Sequence, residues 1–470
     1  MTQKPLWIIF PTIFAISTFL FYPSLNYYFF QDDWFVLNWV RTGDFASFFS
    51  FRTDIIYWRP LSMPILFGLV KSLFGLNPTA FHLFALSIFF VLIVAVYRLF
   101  LLLKISRKSA IIGAFLYGTW SIHFIPLSWF STTSYIIGPL FEVLSIIFFI
   151  KFDKSKKLAD LVISFILFTL GIASSEFALT LPPILFAWGI FAKKRIIIKP
   201  ILPFVAISLI YLSLRFFLFP IPAKGEYQIF LNKQLLNNFF WYIGWALGLP
   251  ERFKSLIFLT LPAQSFSIIT QFWPITLSVF LLTLTLLKLF LTNLGQNLRF
   301  YSFAIIWFTL GILPVITTVS HSFPMYLSLS GIGFLLPILK SLEKAKNLSI
   351  LLFSILWLII SFTNLRFTRA NHWVNNEQAI SEAYTDYVQD IIKNPPSNSL
   401  FLFRPANINF SGEHNFVLVE GEDTLRLALN DQDAVKVIYQ DSSLKSIYAT
   451  YQQNVEIAAG TQIFEIAPSD

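Results

Sequence analysis

Two adjacent aspartates, Asp32 and Asp33, follow the first apolar segment of this chain, in Tyr27-Tyr28-Phe29-Phe30-Gln31-Asp32-Asp33-Trp34. Carboxylates this close repel one another, which raises one pKa and suits that group to accept a proton near neutral pH. An acidic N-cap on a helix over 34–40 would account for one of them but leaves the second without a reason. A cation follows in Tyr57-Trp58-Arg59-Pro60-Leu61. Its guanidinium precedes a proline that opens an apolar stretch, a place suited to binding a lipid phosphate. Headgroup snorkelling is the plainer use of such a side chain. His123, Glu176, Arg215 and His321 complete the ionisable residues expected at the same membrane depth. Ionisable groups at such positions are costly and often functional, and hydration at the interface is the plainer reading of each. Glu142 stands apart in the middle of an apolar run, and the sequence names no partner for it.

These residues are set in a chain of 470 residues that is 56% hydrophobic and 13% charged, with 56 phenylalanines. A soluble protein carries about 25% charged residues. Apolar runs of about 20 residues, each long enough to cross about 30 Å of hydrocarbon, recur through the first three-quarters. The chain therefore reads as a polytopic α-helical membrane protein. It has no cysteine, which excludes disulfides, thiol catalysis and cysteine-based metal sites. Its net charge of +9 does not call for nucleic acid, because the excess Lys and Arg fall in short loops. The first apolar segment, 6–25, is longer than a typical signal core and no small-residue cleavage site follows it; it reads as a retained anchor.

The pattern predicts eleven spans, near 6–26, 79–104, 109–125, 132–152, 158–175, 177–193, 199–219, 271–291, 300–319, 325–341 and 347–365. Residues 60–74 are apolar but short, and start at a proline favoured in a first helical turn; they are expected to form an interfacial helix. With a cytoplasmic N-terminus, Lys104, Arg107 and Lys108, then Lys151 to Lys157, Lys193 to Lys199, Lys288 and Arg299, and Lys340 to Lys346 all return to the inside. The opposite short turns, near 126–131, 176 and 320–324, carry no Lys or Arg. A further span at 60–74 would reverse every later loop and break this agreement with the positive-inside rule.

Three longer segments then face outward: a loop at 27–59, an aromatic-rich loop at 220–270 expected to hold an interfacial helix, and the tail. The transmembrane domain is expected over 1–366 and a small extracytoplasmic α/β domain over 370–470. In the tail a helical pattern at 376–393 precedes a turn at Asn394-Pro395-Pro396-Ser397, and strand-like runs stand at 399–403, 415–420, 434–439 and 462–466.

Asp32-Asp33, Tyr57-Trp58-Arg59-Pro60-Leu61, Phe74-Gly75-Leu76-Asn77-Pro78 and Phe81-His82-Leu83, in that order, resemble membrane glycosyltransferases of the GT-C fold. The likeness is to protein O-mannosyltransferases and the tetratricopeptide-bearing transmembrane mannosyltransferases, which carry an acidic pair in the first outer loop and a Tyr-Arg-Pro-Leu-type motif after it. Ser175-Glu176 and Tyr326-Leu327-Ser328 are looser matches. Ser175 stands where the family usually has Lys, His321-Ser322-Phe323 stands where an acidic–basic pair is common, and no tetratricopeptide repeats follow.

The resemblance implies a GT-C-like bundle and a membrane glycosyltransferase that takes its sugar from a polyprenyl-phosphate donor at the extracytoplasmic face. It implies inversion, with Asp32 as the base and Asp33 as the neighbouring acid. It places Arg59, with Arg215 and His321, on the donor phosphate, and Glu176, Tyr57, Trp129 and Tyr326 at the sugar or acceptor. The acceptor would be a hydroxyl of a protein, lipid or glycan. Beyond the lipid-linked sugar no cofactor is implied, and no His/Asp cluster shows metal-ligand spacing. The expected location is the plasma membrane of a prokaryote. A flippase or polymer exporter is the alternative, but its hallmarks, charges along the bundle interior and internal repeats, are not found. A non-catalytic assembly protein of the same fold would leave Asp32 and Asp33 facing open solvent with no cavity around them.

Overall fold

The computed structural model describes residues 6–52, 55–193, 197–218, 227–254, 272–318, 320–404, 422–448 and 461–467. The main helices are α1 (Leu6–Phe21), α2 (Asp32–Thr42), α3 (Leu66–Phe74), α4 (Pro78–Leu102), α5 (Arg107–Gly118), α6 (Phe124–Ser128), α7 (Ser134–Ser155), α8 (Leu158–Ile172), α9 (Leu181–Lys193), α10 (Leu202–Leu218), α11 (Gln234–Ala246), α12 (Trp273–Ile316), α13 (Leu327–Leu342), α14 (Asn347–Asn371), α15 (Trp373–Ile391), α16 (Glu422–Ala428) and α17 (Asp433–Tyr439).

Among the described residues, eight helices are long and apolar enough to cross a membrane. The number is nine if the pair Arg107–Gly118 and Ser121–Ser128, bent by 43°, is one broken span. The eleven segments expected from the sequence fall on helix, but Leu158–Ile172 and Glu176–Phe191 are shorter than a full crossing. The count by length is therefore lower than eleven, because apolarity alone does not reveal where a 3-10 turn, such as Glu176–Thr180, breaks the run. The apolar stretch at 60–74 is a helix of two parts, a π-helical turn at Leu61–Ile65 continuing into α3.

Local signals set the boundaries. Asn77 caps α4 by accepting from the Ala80 amide at 3.3 Å, with Pro78 in the first turn. Gly75, at φ 65°, ends α3 in a conformation that favours glycine. Helices differ in depth: the span Pro324–Leu342 is 83% buried and Phe130–Ser155 is 72% buried, against 17% for Trp273–Thr292. The first two run through the centre of the bundle and the third lies at its edge.

The tail does not stand free of the bundle. Phe29, Trp34, Val36 and Leu37 share one buried apolar cluster with Met63, Phe67, Phe81 and Phe130, and with Ile380, Tyr384, Phe401 and Val435 from the tail. Each large apolar side chain buried in this way contributes about 1.5–3 kcal/mol. Polar contacts fix the register: Trp34 Nε1 donates to Ser381 Oγ at 2.8 Å, and Asn38 Nδ2 donates to Asp433 Oδ1 at 2.7 Å.

Strand β1 (Leu400–Phe403) lies between β2 (Lys445–Tyr448) and β3 (Ile463–Ile466), parallel to both. Parallel neighbours need a long crossover, and α16 and α17 lie between β1 and β2 in the chain. The strand expected at 434–439 is instead helix α17. Its buried Ala434, Val435 and Val437 sit on one helical side, and Gln440 ends it at φ 56°. A short apolar run cannot by itself separate the two periodicities. The segment expected as a strand at 415–420 lies outside the described residues.

Candidate active site

The site begins with a strained turn. Gln31 has φ 48° and ψ −125°, a backbone region that costs a non-glycine residue on the order of 1–3 kcal/mol. It is held there by its amide, which donates to the Ala428 carbonyl of the tail at 3.0 Å. The turn delivers Asp32 and Asp33 into the first turn of α2, where successive side chains diverge around the helix axis.

The two carboxylates accordingly meet different surroundings. Asp33 is buried; its Oδ1 accepts from the Ser131 amide at 2.8 Å and from Ser131 Oγ at 2.5 Å, and its Oδ2 from the Phe30 amide at 3.5 Å. Burial raises its pKa to about 7, against the opposing pull of these donors. Asp32 is half-buried and lines a cavity of about 910 Å³. Its Oδ2 accepts from the Tyr57 hydroxyl at 3.3 Å. Burial raises the Asp32 pKa above the usual carboxylate range, partly offset by Tyr57, Arg59 and His321.

The same cavity is lined by Tyr57, Arg59, Trp129, Glu176, Arg215, His321 and Tyr326. Residues expected from the sequence at one depth therefore converge on one space, with two exceptions. Asp33 is turned into the packing behind the cavity. His123 is buried elsewhere, between the rings of Phe89 and Tyr117, with centroids at 4.6 and 4.7 Å.

Arg59 already has a carboxylate partner. Its Nε and Nη2 donate to the two oxygens of Glu176 at 2.8 and 2.5 Å, Nη2 also to the Tyr135 hydroxyl at 3.0 Å, and Nη1 to Ser134 Oγ at 3.4 Å. Its guanidinium lies over the Tyr57 and Tyr135 rings, 4.6 and 5.2 Å from their centroids. A two-pronged pair of this kind fixes both partners in direction as well as distance. The Glu176 side chain keeps 31% of its exposure, against 8% for Arg59. Ser175 caps the turn that carries Glu176, with Oγ accepting from the Phe177 amide at 3.4 Å.

Aromatic rings complete the walls. Tyr326 stacks on Phe177 at 5.0 Å and meets Tyr135 edge-on at 5.1 Å. Trp129 stacks on Phe30 at 5.3 Å. The His321 ring lies 4.1 Å from that of Tyr227. His82, from the Phe81-His82-Leu83 motif, works behind the cavity: its ring nitrogens lie 3.1 Å from the carbonyl oxygens of Leu127 and Tyr27, tying the first loop to α6.

Sequence reasoning missed Tyr135, Tyr211 and Tyr227, and the tail residues Trp373 and Glu377, all of which line the cavity. Glu377 sits in a polar stretch where one more acid carries no signal. Among the described residues no three His, Asp or Glu side chains are grouped to hold a metal ion.

No protein-family model matches the sequence, and no curated protein matches it. Among solved structures, the fold is similar to that of the oligosaccharyltransferase of Archaeoglobus fulgidus in its apo form, with a TM-score of 0.51 at 13% identity over 96% of this chain. Two further structures of the archaeal enzyme, one with Zn and sulfate and one with an inhibitory peptide and a dolichol-phosphate, each give a TM-score of 0.45 at 14% identity over 84% of this chain. The chain spans 65% of the length of the first of these and 60% and 62% of the others. At this identity the likeness is one of fold alone, a bundle of apolar helices arranged as in the archaeal protein.

Proposed function

We propose that this protein is a membrane glycosyltransferase that moves a sugar from a polyprenyl-phosphate donor to an acceptor hydroxyl, with inversion. The observation that carries this reading is the single cavity of about 910 Å³ in which Asp32, the Arg59–Glu176 pair, Arg215 and His321 converge. Asp32 takes the proton of the acceptor hydroxyl. The oxygen then forms a bond to the anomeric carbon while the bond from that carbon to the phosphate oxygen breaks, and the electron pair leaves with the phosphate. Arg215 and His321 stabilise the charge that develops on the leaving group. Arg59 holds Glu176 rigid, so that the carboxylate directs hydroxyls of the sugar. Asp33 shapes the turn that presents Asp32.

In this reading the cavity opens at the extracytoplasmic face, the N-terminus is cytoplasmic, and the tail is an extracytoplasmic α/β unit seated on the first loop. The loop charges support that orientation. The test is a reconstitution: purified protein in vesicles is supplied with a panel of polyprenyl-phosphate sugars and a mixture of saccharide, peptide and prenol hydroxyl acceptors, and release of polyprenyl phosphate is followed. Turnover with one of these sugars that disappears in Asp32→Asn supports the reading. Undiminished turnover in that variant removes Asp32 as the base.

A further inference from the structure

We infer that the end of the cavity built by the tail helix α15 is an acceptor subsite for a saccharide, with Glu377 reading sugar hydroxyls and Trp373 and Trp129 packing against the ring. The inference rests on the glycosyltransferase reading and goes beyond it by naming the acceptor class.

Glu377 is buried and lines the same cavity as Asp32. Its carboxyl accepts from the side-chain amide of Gln31. Burial raises its pKa to about 8. A carboxyl that is largely neutral at physiological pH both donates and accepts, which matches a hydroxyl pair on a sugar ring. The Trp129 and Trp373 rings meet at 5.3 Å and 87°, and Phe30 stacks on Trp129, so the aromatic corner is fixed before any ligand arrives. Trp129 also lines the cavity, beside Trp373 and Glu377.

An aromatic wall with a few placed polar groups is the ordinary construction of a small-ligand site. A pair of indoles with one carboxyl suits the apolar faces and polar rim of a pyranose. Gln31 also links the two functions. Its side chain holds Glu377, and its main chain leads directly into Asp32, so an acceptor gripped by Glu377 is registered against the base.

The test uses the full chain in vesicles with its donor and three acceptor sets: trisaccharides ending in glucose, galactose or mannose, a Ser/Thr-rich peptide, and a short prenol. Transfer to a trisaccharide is expected. Glu377→Gln and Trp373→Ala should each raise the acceptor KM about tenfold, the loss expected of one good hydrogen bond or ring contact, with the donor KM held. Trp373→Phe, which keeps a ring and the packing, should recover most of the loss and guards against a folding defect in the other variants. Transfer confined to the peptide or the prenol, or an acceptor KM that ignores all three variants, overturns the saccharide subsite and leaves the glycosyltransferase reading intact. Failure of the wild-type protein to release polyprenyl phosphate from every donor overturns both.

Discussion

The cavity around Asp32 and the apolar interior around Glu142 both enclose carboxyl groups, and they treat them differently. In the cavity, Asp32 has Tyr57, and Glu176 has two prongs of Arg59. In the bundle interior, Glu142 is fully buried and neither of its oxygens has a hydrogen-bond partner among the described residues. A polar group buried without a partner costs about 1–3 kcal/mol. A buried charge that is paired and set against open space has its cost offset and can be used on a ligand. Burial alone therefore does not mark the site. What marks it is pairing around a space large enough for a substrate.

The sharpest way to break this contrast is at Asp32. Asp32→Asn should lower sugar transfer by about 10²–10⁴-fold, the range for losing a positioned general base, with the melting temperature of the detergent-solubilised protein close to that of wild type. Next comes the ion pair. Arg59→Ala leaves Glu176 without its cation and should destabilise the fold by about 3–5 kcal/mol. The double variant Arg59→Leu/Glu176→Leu should recover part of that loss in a thermal melt while remaining inactive. An Arg59→Ala protein with wild-type stability would mean the pair does not hold the wall.

Asp33→Ala tests the division between the neighbouring aspartates. It removes a buried acceptor of three donors and should cost about 2–3 kcal/mol, seen as a lower melting temperature, while folded protein retains more transfer than Asp32→Asn. The reverse ranking would exchange the two roles. On the other side of the comparison, Glu142→Met should leave transfer unchanged and raise stability by about 1–2 kcal/mol, because it removes unpartnered polar atoms.

The last test is a pH slope. The Glu377 carboxyl has its pKa raised from the ordinary 4.5 to about 8 in the folded protein. Between these values the folded state holds a proton that the unfolded state has released. Its contribution is thus complete below about pH 4.5 and is lost as pH rises through about 8. The melting temperature should fall between about pH 4.5 and 8, and Glu377→Gln should flatten that fall.

The sequence by itself marked a helical membrane chain and most of the ionisable residues that line the cavity. Ionisable residues are scarce in a chain that is 13% charged, so Asp32, Arg59, Glu176, Arg215 and His321 stand out against apolar runs whose length is set by a bilayer. The same contrast fails in the tail, where polar residues are ordinary, and Trp373 and Glu377 stayed hidden until the chain was folded. Only the tertiary structure showed where each aspartate lies, Asp32 on the cavity and Asp33 in the packing behind it, because a strained residue at Gln31 and a helical turn send neighbouring side chains to different places. Only it joined Arg59 to Glu176, 117 residues apart, and Gln31 to Glu377, 346 residues apart. Spans are written in local composition. Pairings of this kind depend on which helix ends meet in space, and no local pattern of residues encodes that.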